Sequence, residues 1–241
     1  MASGFEQLAW EETPMGVLGL RRRFDPVIDA EVFEVKLGDE FLMSSAFNVA
    51  EIALAELALA WLDQDDSTTR GLEVAVGGLG LGYTAAAALA DPRVGALVVV
   101  EALPEVIRWH TQELLPEVAG LAEDARVRLV EGDLFANLAA GHGPDPAAPA
   151  RRFDAVLIDI DHSPQHVLHP SHEVFYSVEG LARLRHSLRP RGVFGLWSDD
   201  PPDEGFLATA REVFGEVAAE MVAFENPFTA GTSTNTIYLA R

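Results

Sequence analysis

The stretch Glu73–Leu89, EVAVGGLGLGYTAAAAL, constrains the fold more than any other part of the chain. An apolar run ends in four glycines within six positions, and an alanine-rich run follows. This reads as a strand, a turn and a helix. Glycine permits positive φ and lets a ligand approach backbone that a Cβ would cover. The helix behind the turn aims its first amides at whatever sits there. The same alternation continues downstream, with strands expected over 72–77, 96–101, 126–131, 153–159 and 193–198. Helices are expected over 82–90, 104–118, 172–188 and 203–214. Such alternation implies a doubly wound α/β fold, with a mostly parallel sheet and ligands at the carboxyl ends of its strands. The last two strands, Val217 to Phe224 and Thr232 to Leu239, have only a loop between them, so they pair antiparallel.

The N-terminal part reads differently. Residues 1 to 29 show no regular pattern and carry the Arg21-Arg22-Arg23 cluster. Ala30 to Met43 alternates apolar and polar around Gly38-Asp39, a hairpin signal. Asn48-Val-Ala-Glu51 has the form of a capping box opening a helix to about Leu62. The expected division is a small β-hairpin appendage over 1–47 and the α/β domain over 48–241.

At 241 residues the chain is long enough for a large core. Asp and Glu outnumber Lys and Arg by 38 to 17, a net charge of −21. That surface repels nucleic acid phosphate and attracts cations, polyamines included. The absence of cysteine removes disulfides, thiolate metal sites and cysteine nucleophiles. No apolar run is long enough to span a bilayer, and the N-terminus lacks a signal peptide's pattern. A soluble, cytoplasmic protein with no nucleic acid or membrane partner is expected.

The glycine spacing narrows the ligand. A dinucleotide fingerprint starting at Gly78 needs glycine at 83, where Tyr83 stands. No Gly-Lys-Ser/Thr follows, which excludes a P-loop. The G-x-G-x-G spacing, with the closing antiparallel pair, resembles class I S-adenosylmethionine-dependent transferases. Glu101 ends the next strand at the distance where an acid accepts ribose hydroxyls. Asp133 follows the third strand, placed either to accept the exocyclic amine of adenine or to cap a helix.

Five segments in order carry a more specific resemblance: VAVGGLGLG, VVVEALPEVI, VRLVEGDLF, FDAVLIDIDHSP and HEVFYSVEGLARLRHSLRPRGVF. Together they resemble the spermidine synthase family, aminopropyltransferases built on the methyltransferase fold. The resemblance implies a Rossmann-like methyltransferase sheet, S-adenosylmethionine or its decarboxylated form as cofactor, a small-molecule acceptor such as a polyamine, and a homodimer. It also implies a cofactor site of Gly77, Gly78, Leu79, Gly80, Gly82, Glu101, Ala102, Gly132, Asp133, Leu134 and Asp159. Asp159 and Asp161 are the catalytic candidates, and His162, Tyr176, Trp197 and Asp199 the acceptor-pocket candidates. Trp197 and Phe175 also suit the core, since both lie on apolar periodic segments.

The chain departs from the family pattern at three places. Gly80 stands where the family has the Asp that holds the cofactor's amine. His162 replaces the second Asp of Asp-x-x-Asp-Pro, and Ser44-Ser45 replaces a His-Glu pair. A bare glycine amide suits a carboxylate, so methyl transfer from ordinary S-adenosylmethionine is the leading expectation. Aminopropyl transfer to a polyamine and a catalytically silent cofactor or polyamine binder are the alternatives. No resident metal is expected, although Asp159, Asp161, Asp199 and Asp200 would supply the oxygen ligands for Mg²⁺ if they converged. His162, His166, His169 and His172 mark an expected lid over the acceptor site.

Overall fold

The structure is a computed structural model that describes residues 4–62 and 70–241. Its main sheet contains β5 (Leu72–Gly77), β6 (Val94–Glu101), β7 (Val127–Glu131), β8 (Phe153–Ile158), β9 (Leu188–Ser198), β10 (Val217–Asn226) and β11 (Gly231–Ala240). The strand order is β10-β11-β9-β8-β5-β6-β7. The strands from β9 to β7 are parallel, and β11 is antiparallel to both β9 and β10. Strand order reverses between β5 and β8, and such a switch point opens a crevice at the strands' carboxyl ends.

Alternate residues of the central strands face two separate cores. Val74, Val76, Leu97, Val99, Ala155 and Leu157 face the side covered by α1 (Val49–Leu62), α2 (Tyr83–Ala90) and α3 (Pro104–Thr111). Ala75, Val98, Val100, Val156 and Ile158 face α4 (Leu134–Ala139), α5 (Val178–Arg185) and α6 (Glu204–Val213). Strands buried on both faces read as continuous apolar runs, which is why β5, β6 and β8 were visible in the sequence.

The first correction concerns residues 4 to 29, the described part of the segment without a regular pattern. They form β1 (Phe5–Thr13) and β2 (Gly16–Asp25), which join β3 (Ala30–Leu37) and β4 (Glu40–Ser44) in a four-stranded antiparallel sheet. The arginines obscured the strand because their partners lie on other parts of the sheet. Arg21 and Arg23 both pair with Glu34, at 2.5 and 2.8 Å, and Arg22 pairs with Glu6 at 2.5 Å. The inner face of this sheet, Leu18, Leu20, Phe33 and Val35, is continuous with the core beneath α1 and α2.

Other boundaries moved for local reasons. The helix expected over 104–118 stops at Thr111, where Glu113 takes φ 55°, and a 3₁₀ turn follows at Pro116–Val118. The helix expected over 172–188 is a 3₁₀ segment, Pro170–Tyr176, followed by α5. Ser177 between them is extended, and its side chain accepts from the Gly180 amide as an N-cap. β9 starts five residues earlier than expected, through a bend at Arg191 with φ 66°.

Candidate functional site

Three adjoining cavities follow the carboxyl ends of the strands. The first, of about 310 Å³, is bordered by Gly78 and Gly80 after β5, Glu101 and Ala102 at the end of β6, and Gly132 and Asp133 after β7. Leu134 and Asp159 also line it. The second is a neck of about 80 Å³ containing Leu79, Gly80, Gly82, Glu51, Asp159 and Trp197. The third, about 510 Å³, widens towards solvent between β4 and the β10–β11 hairpin. Met43 borders all three.

The glycines of the turn are required by close packing. Gly78 has φ +89°, and a Cβ there would lie 2.0 Å from the Asp159 carbonyl oxygen. A Cβ on Gly77 would lie 2.2 Å from Leu134 Cδ2. Gly77 therefore lies beneath the site rather than in its wall, locking β5 against β8 through the Asp159 amide, which donates to its carbonyl at 2.8 Å. Gly80 and Gly82 also take positive φ.

Three amides of the turn, those of Gly78, Leu79 and Gly82, are already bonded. Gly78 N–H donates to Val100 O, and Gly82 N–H to Leu79 O. Leu79 N–H donates to Glu101 Oε2 at 2.9 Å, and the Gly80 amide lies near enough to the Glu101 carboxylate to favour its charged form. Leu103 N–H donates to Glu101 Oε1 at 2.9 Å. A ligand carboxylate at Gly80 would meet the Glu101 carboxylate that already faces that amide. Above Gly80 sits Met43 instead, its Sδ 2.8 Å from where a Cβ would be. Burial pushes the Glu101 carboxyl up in pKa, against the pull of the four backbone amides that surround it.

Asp159 stands at the neck. Thr84 Oγ1 donates to its Oδ2 at 2.6 Å and lies 3.2 Å from the Glu51 carbonyl oxygen. Burial raises the Asp159 carboxyl to about 6, with the Thr84 hydrogen bond opposing the shift. Glu51, from the first turn of α1, is pushed up to about 8 by burial and by the charges of Asp159 and Asp199. Near neutral pH this pair keeps one proton and one negative charge, the pattern in which neighbouring carboxyls divide acid and base roles. Glu51 was legible only as a capping-box residue. The helix does start at Val49, but Glu51 also lines the neck, where burial and the like charge of Asp159 hold its proton.

The raised Glu51 value has a consequence for stability. Between about pH 4.5 and 8 the folded chain retains the Glu51 proton that the unfolded chain has lost. The folded state therefore binds more protons, and this group's contribution to stability falls as pH rises through that window. Glu51→Gln should melt higher than wild type above about pH 8, with the advantage gone at pH 4; thermal melts across this range check it.

Asp161 points elsewhere. Its side chain is fully buried, and it accepts from Leu168 N–H, His172 Nδ1 and Tyr176 OH, each at 2.8 Å. Tyr176 is thus bonded inside the protein and lines none of the three cavities. Phe175 is buried in the core. Trp197 and His162 border the neck and the outer cavity, and His162 Nε2 lies 3.1 Å from Glu40 Oε1. Asp199 lines the outer cavity and accepts from Asn235 Nδ2 at 2.8 Å. Asp133 caps α4, accepting from Ala136 N–H at 3.0 Å, while also lining the first cavity. The histidine segment reaches the first cavity as well as the neck, since His169 and His172 line it. Asp200 turns away to Ser163 and His166, so the four acids do not converge. Among the described residues no group of three or more His, Asp or Glu is placed to hold a metal ion.

The strand order and this crevice define a Rossmann-like α/β fold with its cavity at the carboxyl ends of the strands. No family model matches the sequence, and no curated protein matches it either. Solved structures do. A spermidine synthase in complex with the transition-state analogue AdoDATO aligns with a TM-score of 0.70 and 15% identity, over 97% of this chain and 71% of that one. The spermidine synthase from Thermotoga maritima aligns with a TM-score of 0.71 and 15% identity, over 97% and 72%. The fold of this chain is that of spermidine synthase, including the N-terminal antiparallel sheet. No described helix is long and apolar enough to cross a membrane.

Proposed function

We propose that this chain transfers an aminopropyl group from decarboxylated S-adenosylmethionine to an amine. The observation that carries this reading is the chemistry of the neck. Asp159 and Glu51 line it, and among the described residues no Lys or Arg lines any of the three adjoining cavities. A donor bearing a carboxylate would bring that charge beside two acids, with no Lys or Arg among the described lining residues to meet it and with the Glu101 carboxylate already facing the turn's amides. A donor tail ending in an amine meets complementary charge instead. This reverses the preference for methyl transfer that Gly80 alone suggested.

The first cavity suits the nucleoside, with Glu101 by the ribose and Asp133 towards the base. The outer cavity suits an extended cationic acceptor. Phe41, Phe47, Phe224 and Trp197 provide apolar wall, while Glu51 at its inner part and Asp199 at its outer part provide hydrogen-bond acceptors for ammonium groups. The strongly acidic surface would raise the local concentration of such a cation.

The donor supplies a sulfonium, which already activates the carbon under attack. The protein's task is to hold the amine in line, exclude water and accept a proton. The acceptor nitrogen bonds to the aminopropyl methylene carbon, the carbon–sulfur bond breaks, and its electron pair stays on sulfur as the neutral thioether methylthioadenosine. The proton lost by nitrogen goes to Asp159, which is ionised above about pH 6.

Product analysis tests the reading. The chain, a diamine such as putrescine, and either donor should yield methylthioadenosine and an aminopropylated amine from the decarboxylated donor only. S-adenosylhomocysteine from the carboxylated donor would replace this reading with methyl transfer. Donor binding without either product would make the chain a silent binder.

A further inference from the structure

Beyond the transfer reaction lies the question of how the far end of the first cavity reads its ligand, and here the inference rests on the nucleoside placement proposed above. From the glycine turn the cavity passes Glu101 and ends at Asp133, Phe135 and His172. The His172 ring packs edge-on against Phe135, with centroids 4.7 Å apart and planes at 74°. Its side chain is only 11% exposed, and that exposure opens into the cavity. Nδ1 is held 2.8 Å from Asp161 Oδ1. Nε2 has no bonded partner among the described residues and is not sealed within the protein.

The Asp161 carboxylate fixes which ring nitrogen carries the proton. Its oxygens only accept, and they already receive Leu168 N–H and Tyr176 OH. The hydrogen bond therefore assigns the proton of the neutral imidazole to Nδ1, which leaves a lone pair on Nε2 directed at the cavity. A lone pair there accepts an N–H and repels a carbonyl oxygen. Asp133 offers a second acceptor on the same wall, since only its Oδ1 is occupied by the helix cap.

We infer that His172 is a specificity-determining residue that selects a 6-amino purine over a 6-oxo purine. Asp161, supported by Tyr176, is the positioning residue that sets its tautomer. This accounts for a fully buried carboxylate that the transfer chemistry does not use. It also explains why the 162–176 segment is anchored inward at Asp161 rather than left as a surface loop.

Calorimetric titration with three ligands tests it: methylthioadenosine, its 6-oxo analogue methylthioinosine, and the 6-unsubstituted purine analogue. Wild type should bind the 6-amino ligand at least about tenfold more tightly than either of the others, the size expected when a site built for a hydrogen bond loses it. His172→Phe keeps a ring against Phe135 and should bring the 6-amino and 6-unsubstituted ligands to within about threefold of each other. His172→Gln retains an acceptor and should recover part of the preference. Equal losses for all three ligands in His172→Phe, or a wild type that binds them equally, would overturn the inference while leaving the donor site intact. A wild type that binds none of them overturns the nucleoside placement and this inference together.

Discussion

Asp159→Asn should lower turnover by about 10²- to 10⁴-fold, the usual contribution of a positioned general base, and leave donor affinity within about threefold. Asparagine preserves the shape of the side chain and can still accept from Thr84, whose hydroxyl bonds Asp159 Oδ2 at 2.6 Å. It cannot take the proton that the attacking amine must lose. In the wild type, kcat/KM should rise with pH through about 6, because the base works only when ionised and burial raises its carboxyl to that region. In the variant that limb should vanish. Methylthioadenosine release measured from pH 5 to 9, beside calorimetric donor affinity, checks both halves. Turnover within tenfold of wild type would remove Asp159 from the reaction and turn attention to Glu51, the other acid in the neck.

Glu51 also marks where sequence reading stops. Its contribution depends on α1 bringing it beside Asp159, more than a hundred positions away, and no local pattern encodes that approach. Spacing suggested a helix start, which was accurate and incomplete. The central strands were legible because burial on both faces leaves uninterrupted apolar runs. β1 and β2 were not, because a shift between Gln7 and Ala9 breaks the period and the arginines find carboxylates at distant positions. α4 was also missed; its six residues follow Asp133 too briefly for a helical period to emerge. Asp161 shows the opposite case. Its place two positions after Asp159 makes it a catalytic candidate, since a straight strand would put both side chains on one face, yet the chain leaves β8 and bends at Asp161, and that carboxylate enters the protein interior. Gly80 shows in the sequence only as the absence of a carboxylate. What the sequence could not show was that its amide faces the Glu101 carboxylate and that Met43 fills the space above it.

The glycine turn carries the second large effect, and it can be separated from ordinary backbone strain. Gly78 and Gly120 share nearly the same conformation, φ +89° and +80°. An alanine at either position bears the cost of a left-handed backbone, roughly 1–2 kcal/mol. At Gly120 a Cβ would meet nothing within 4 Å, so Gly120→Ala should lose about that much and bind the donor normally. At Gly78 the Cβ would lie 2.0 Å from the Asp159 carbonyl oxygen and 2.9 Å from its carbonyl carbon. Both atoms are backbone, so no rotamer change relieves the overlap. Relief requires the ends of β5 and β8 to part, which breaks the bond between the Asp159 amide and Gly77 O. It also moves the candidate base away from the turn. Gly78→Ala should therefore lose more than about 3 kcal/mol of stability, in the range reserved for core overpacking and strain, and lose donor binding with it. Urea denaturation and calorimetry on the two variants make the comparison. If Gly78→Ala is no worse than Gly120→Ala, the turn is merely a bend in the chain. If it is much worse, the glycine is there to let two strands meet at the point where the donor and Asp159 come together.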